Sequence, residues 1–264
     1  MAKPTLLEIV QEILSDMDSD VINSIDDTDE AGQVATIVKS TYDAMMSNRN
    51  WPHTRQVINL TASGDSLLPT HMYLAEEIKE MISVYYDKRK LGDTRLKYDP
   101  VHWREPDDFL RFTNMRDNDS ADVDVIDDPS GIQLLIATNK APSYYTSFDD
   151  DALVFDSYDS EVDSTLQASK TQARAYVMPE LIIADDTTPD LPKEAFSALI
   201  EEAKSKAMFK LKQMQDIKAE QESGRQNRWL SRKSWRAHGG IRYPDYGRKR
   251  NGRATREVTF EREN

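Results

Sequence analysis

Thr5-Leu6-Leu7-Glu8-Ile9-Val10-Gln11-Glu12-Ile13-Leu14-Ser15-Asp16-Met17 opens with a helix-start signal and continues with a helical apolar stripe. Thr5 and Glu8 stand at capping-box spacing, where each side chain can accept the other's orphan backbone N–H. Leu6, Val10, Ile13, Leu14 and Met17 recur at the period of one helical face. The Asp/Ser-rich stretch at 16–20 ends this helix. A second is predicted from Thr28 or Asp29 to Ser47, with Val34, Ile37, Val38, Thr41, Tyr42 and Met45 as its stripe. It stops before Trp51-Pro52, because proline disfavours helix in the residue before it. Two amphipathic helices on so short a link predict an αα-hairpin.

Beyond residue 54 the period changes. Gln56–Leu60 and Glu80–Tyr86 read as strands, and Pro106–Asn114 as a short helix between them and the next group. Gly131–Thr138, Ser143–Phe148 and Asp151–Asp156 predict a three-strand meander, with turns at Asn139-Lys140-Ala141-Pro142 and Asp149-Asp150. After Pro189-Asp190-Leu191-Pro192 the helical period returns. Phe196, Leu199, Ile200, Ala203, Ala207, Leu211, Met214 and Ile217 predict one long helix whose polar end, Gln215–Gln221, projects from the core. Strands grouped together and flanked by helices define an α+β class. The predicted organisation is a helical core from 1–53 and 190–222, a β-rich insertion over 54–189, and a basic extended arm over 223–264.

Charge divides the chain sharply. The whole carries a formal −13. Residues 224–264 contribute about +8, leaving about −21 on the remainder. The arm also carries Trp229, Trp235, Tyr243, Tyr246 and Phe260 among its basic residues, while Gly239-Gly240, Pro244, Gly247 and Gly252 argue against regular structure there. Interleaved Arg and aromatic residues suit two tasks. They can stack on and neutralise single-stranded nucleic acid, or anchor in protein pockets with Arg on the rim. Trp229 and Trp235 are six residues apart, which favours separate protein pockets. The docking set is Arg225, Arg228, Trp229, Arg232, Lys233, Trp235, Arg236, Tyr243, Tyr246 and Arg248.

The absence of cysteine excludes disulfides and cysteine-ligated zinc. His53, His71, His102 and His238 are scattered, without zinc-binding spacing, and His53 reads as a helix-end hydrogen-bonding residue. There is no Gly-x-Ser-x-Gly elbow and no phosphate-cradling glycine loop. Glu76/Glu77 and Asp107/Asp108 have the composition of a glycosidase acid and base, but such chemistry needs a carboxyl raised in an apolar pocket. Asp16-x-Asp18-x-Asp20 and Asp117-x-Asp119 imitate calcium loops without the glycine that makes the turn. The chain is therefore expected to be no enzyme and to use no metal or cofactor. No secretory signal is expected, because Pro4–Met17 mixes acidic with apolar residues, and no apolar run is long enough for a bilayer.

Taken in order, these segments resemble the head-to-tail adaptor (tail tubular, neck or head-completion) proteins of short-tailed bacteriophages. The residues that carry the likeness are the helix before Val21-Ile22-Asn23-Ser24-Ile25-Asp26-Asp27, the helix closing on Asn48-Arg49-Asn50-Trp51, and the returning helix at 192–214. Tyr144–Asp150, Phe155–Asp159 and Trp229-Leu230-Ser231-Arg232-Lys233-Ser234-Trp235 resemble a subgroup with an enlarged β region. The resemblance implies a structural virion protein, made in the bacterial cytoplasm, that forms a homo-oligomeric ring, most often of twelve copies. Such a ring sits between the portal and the tail nozzle or tube and leaves a channel for DNA. In that family a C-terminal segment commonly reaches along the portal, and the arm is expected to order on docking. Two other functions fit parts of the sequence: a nucleic-acid-binding protein acting through the arm, and a tail-associated peptidoglycan hydrolase.

Overall fold

A computed structural model of the chain describes residues 3–74, 77–149 and 151–236, the last five by their backbone alone. Two hydrophobic cores divide it, one between helices and one inside a curled sheet. In the first core, α1 (Leu6–Asp16) begins at the expected capping box, with both reciprocal hydrogen bonds made between Thr5 and Glu8. Helix α2 (Asp29–Ser47) is capped by Thr28, whose hydroxyl accepts from the Ala31 amide. Leu6, Ile9, Val10 and Ile13 of α1 are fully buried beside Val34, Ala35 and Val38 of α2, forming the expected hairpin.

The chain returns to this bundle through Leu181 and Leu191, both buried. The amides of Leu6 and Leu7 donate to Thr187 and Asp185 carbonyls, stitching the returning loop to α1. Helix α4 (Phe196–Lys212) then packs on α1 and α2 through Phe196, Leu199, Ala203 and Ala207.

Between the two helical passages lie β1 (Arg55–Ile58), β2 (Leu60–Ala62), β3 (His71–Leu74), β4 (Ile78–Asp87), β5 (Tyr98–Trp103), α3 (Pro106–Thr113), β6 (Val123–Asp127), β7 (Gln133–Ala137), β8 (Tyr144–Thr146), β9 (Ala152–Phe155) and β10 (Thr171–Val177). Eight strands form one mixed sheet in the order β1-β10-β4-β5-β8-β9-β3-β2. Its two outermost strands, β1 and β2, are consecutive in the chain and joined only by Asn59. The sheet therefore curls until its edges meet at that residue, giving a nearly closed barrel and so removing long open edges. Phe109 of α3 is fully buried in the barrel core and meets Phe148 edge-on, with ring centroids 6.3 Å apart.

Three expectations need correction. Strand β7 pairs with β6, not with β8, so 131–156 is not a three-strand meander. The amides of Ser143 and Tyr144 both donate to the buried Asp156 carboxylate at 2.8 Å, and Pro142 has no donor. Those groups are then missing from any ladder with β7, and β8 instead runs parallel to β5 and antiparallel to β9. Second, the long helix is two helices. Gln213 takes a left-handed conformation (φ 56°), the Met214 amide closes back on Met208 O, and α5 (Ile217–Arg236) begins three residues later. Met214 and Ile217 thus continue the apolar period in sequence but lie beyond the turn. Third, the segment after the turn neither projects nor becomes an extended arm at Gly224: it is helical to Arg236 and folds back along α4.

Candidate docking surface

Helix α5 is built from a turn, a cap and a narrow packing face. Asp216 accepts hydrogen bonds from the Lys218 and Ala219 amides, capping the first turn. The same carboxylate lies 3.7 Å from Lys204 of α4, whose Nζ also reaches Asp16 of α1 at 2.7 Å. The Asp16 hydrogen bond raises the Lys204 pKa against the opposing effect of burial. One lysine therefore ties together α1, α4 and the start of α5.

The packing face runs through Ala219, Ser223 and Leu230, all buried, with Gln226 and Asn227 half-buried between them. Small residues on this face let α5 lie close along α4. Ser223 Oγ donates to Glu202 Oε2 at 2.5 Å, so its hydroxyl is satisfied in the interface. Farther along, Arg49 at the end of α2 donates to Asn227 O at 3.1 Å and Ser231 Oγ at 2.6 Å. Burial lowers the Arg49 pKa, and its guanidinium lies over the Trp51 ring at 5.1 Å. This clamp fixes the exit of α5 to the junction between helical bundle and barrel.

The opposite side of α5 carries the sequence-derived docking residues. Arg225, Arg228 and Trp229 are exposed, with Trp229 retaining 48% of its surface. Arg225 reaches Glu222 at 3.0 Å and Arg228 Nε donates to Gly224 O at 3.1 Å, so both cations lie along the helix. At 3.6 residues per turn, positions 232, 235 and 236 come round to the same outward half as 225 and 228. Positions 229 and 235 are about 120° apart around the axis, both within that half. Arg232, Lys233, Trp235 and Arg236 lie on the last turns, where only the backbone is described, and Tyr243, Tyr246 and Arg248 lie outside the described residues. The basic end of α5 is also its C-terminal end, where cations complement the helix dipole.

Gly224 is an interior helical residue, and a Cβ built there meets nothing within 4 Å. Gly224→Ala is expected to stabilise α5 by about 1 kcal/mol through helix propensity. A rise in the urea midpoint with unchanged slope checks this.

The other sequence candidates are dispersed. Asp107 and Asp108 are exposed in the first turn of α3, Glu77 is exposed before β4, and Glu76 lies outside the described residues. All three described carboxylates are solvent-exposed, whereas a glycosidase general acid sits in an apolar pocket. Asp16 serves Lys204, while Asp117 accepts from the Asp119 amide in a local turn. Among the described residues no group of three or more His, Asp or Glu side chains is arranged to hold a metal ion, and no helix is long and apolar enough to cross a membrane. His53 Nε2 lies 2.8 Å from Asp190 O, joining the end of the first helical passage to the start of the second.

No protein-family model matches the chain, and no curated protein matches its sequence.

Proposed function

We propose that this chain is a structural virion protein, a head-to-tail adaptor that forms a homo-oligomeric ring between portal and tail nozzle or tube. The observation that carries this reading is the pairing of an acidic body with a helix that is locked to it on one side and basic and aromatic on the other. A pre-ordered helix bearing Arg225, Arg228 and Trp229 suits recognition of a protein groove, because little conformational entropy is lost on docking. Head-to-tail contacts between copies would close the ring. The net negative body suits a lumen through which DNA slides, since it offers phosphates no grip. In this reading there is no catalysis and no cofactor; the work is interface burial around a symmetry axis.

A basic helix also suits nucleic acid, and one comparison separates the two. The Arg225→Glu/Arg228→Glu variant is expected to bind the cognate portal ring at least tenfold more weakly than the unaltered chain. Its weak affinity for duplex DNA should equal that of the unaltered chain at both low and moderate salt. Retained portal binding together with loss of a salt-sensitive DNA affinity would refute the adaptor assignment and favour nucleic-acid binding.

A further inference from the structure

Strand β4 is paired on both sides only over Val84, Tyr85 and Tyr86. Residues Val84–Asp87 pair with β5, whereas Ile78–Ser83 pair with β10 alone among the described residues. After Val101, β5 leaves β4 and turns to β8, so the two strands splay. The gap is a groove lined by Leu74, Ile78, Met81, Trp103, Tyr145 and Leu153. Trp103 is 46% exposed there and stacks edge-on against Tyr145, with ring centroids 5.3 Å apart. An unpaired half-strand beside an apolar trough has the form of a β-augmentation site, where backbone pairing supplies affinity and side-chain pockets supply register.

The groove's charge is one-sided. Lys79 also lines the groove, with its ammonium bonded to the Met46 and Arg49 carbonyls at 2.8 and 2.9 Å. Glu80 lines the trough, with its Oε2 accepting from Asn50 Nδ2, and the exposed Glu77, Asp149 and Asp151 are sequence neighbours of the lining residues, Asp151 O accepting from the Leu74 amide. An extended, basic segment with apolar residues at alternate positions fits such a rim and floor.

We propose that this groove seats the chain's own segment Arg253-Ala254-Thr255-Arg256-Glu257-Val258-Thr259-Phe260 as an added strand on β4. Its even positions place Ala254, Val258 and Phe260 on one face with Arg256, and its odd positions include Thr255 and Thr259, which suit a pleated strand. Val258 and Phe260 fill the trough, while Arg256 on the same face reaches Glu80 at its rim. The exit of the chain is placed for this. Ser231 of α5 bonds to Arg49, whose carbonyl holds Lys79 of β4, so α5 ends close to the groove. Arg236 lies about 8 Å of helix beyond Ser231. Sixteen residues separate Arg236 from Arg253, and a coil of that length has a root-mean-square reach of about 20–24 Å. A short flexible tether gives a millimolar effective concentration, enough for a modest strand contact to persist.

A chain without cysteine permits a direct test on the full-length protein. Glu80→Cys combined with Thr255→Cys or with Arg256→Cys is expected to form an intramolecular disulfide under mild oxidation. Adding Val258→Asp and Phe260→Asp should reduce its rate at least tenfold. Alternate amides between Lys79 and Ser83 should also exchange hydrogen at least tenfold more slowly in the unaltered chain than with those two aspartates. Cross-linking no faster than with Asp108→Cys in place of Glu80→Cys, disulfides formed only between chains, or equal exchange rates would overturn the proposal.

Discussion

Replacing Asp156 by alanine is expected to lower the unfolding free energy by about 3–5 kcal/mol, the scale of a broken buried ion pair. Asp156 is fully buried between β9 and the returning chain. One carboxylate oxygen accepts the Ser143 and Tyr144 amides, and the other accepts Arg116 Nη2 at 2.9 Å. Arg116 also donates to Leu135 O and to the Asp156 carbonyl, so one charge pair joins β7, β8 and β9. Alanine would leave a largely buried guanidinium and two amides without their partner. Asparagine keeps one acceptor oxygen and should cost distinctly less. Denaturant unfolding of both variants, followed by near-UV circular dichroism, checks the ranking. Equal stability of the alanine variant and the unaltered chain would remove Asp156 from its place as the barrel's polar pin.

Leu230 and Trp229 are adjacent in sequence and opposite in consequence. Leu230 is buried in the helical core, whereas Trp229, about 100° round the helix, is 48% exposed. Leu230→Asp forces a carboxylate into that apolar contact, and detachment of α5 is the lower-energy response. The loss should be about 3 kcal/mol in the stability of the α4–α5 pair, read as rapid proteolysis between Gln213 and Arg236. Trp229→Asp should cost distinctly less stability than Leu230→Asp, because Trp229 is about half exposed and Leu230 is buried. The same change should weaken portal binding by about thirtyfold or more if Trp229 anchors the interface. Identical protease sensitivity of the two variants would contradict the folded-back α5.

The legible parts of the sequence are those in which one physical signal acts alone. The first two helices carry cap and stripe together, and their boundaries follow from Thr5, Glu8, Thr28 and Trp51-Pro52. Strand β4 and the β8–β9 hairpin also follow from β-branched and aromatic runs. Strands β5 and β10 escape such reading because their inward positions are few or small: Val101 in the first, Ala173 and Ala175 in the second. Their burial is imposed by neighbours, not by their own hydrophobicity. Helix α5 escapes for a related reason. Its packing face is Ala219, Ser223 and Leu230, a small-residue stripe that apolar periodicity does not register. Glycine at 224 reads as a break, although an interior helical glycine needs only about 1 kcal/mol from its surroundings. The i, i+4, i+11 recurrence of small or apolar residues was the signal available.

The charge boundary at Ser223-Gly224 falls inside a helix, and the basic, aromatic half of that helix is displayed on an acidic body. Arg225, Arg228 and Trp229 are thereby exposed together on one ordered helix, the preorganised form that costs least on binding.

Mass photometry of the 30.3 kDa chain, alone and mixed with its cognate portal ring, tests the adaptor assignment most directly. The account predicts a portal species heavier by a complete ring of copies, twelve for a dodecameric portal. That species should be absent with Arg225→Glu/Arg228→Glu. A chain that stays monomeric in the presence of the ring would contradict it.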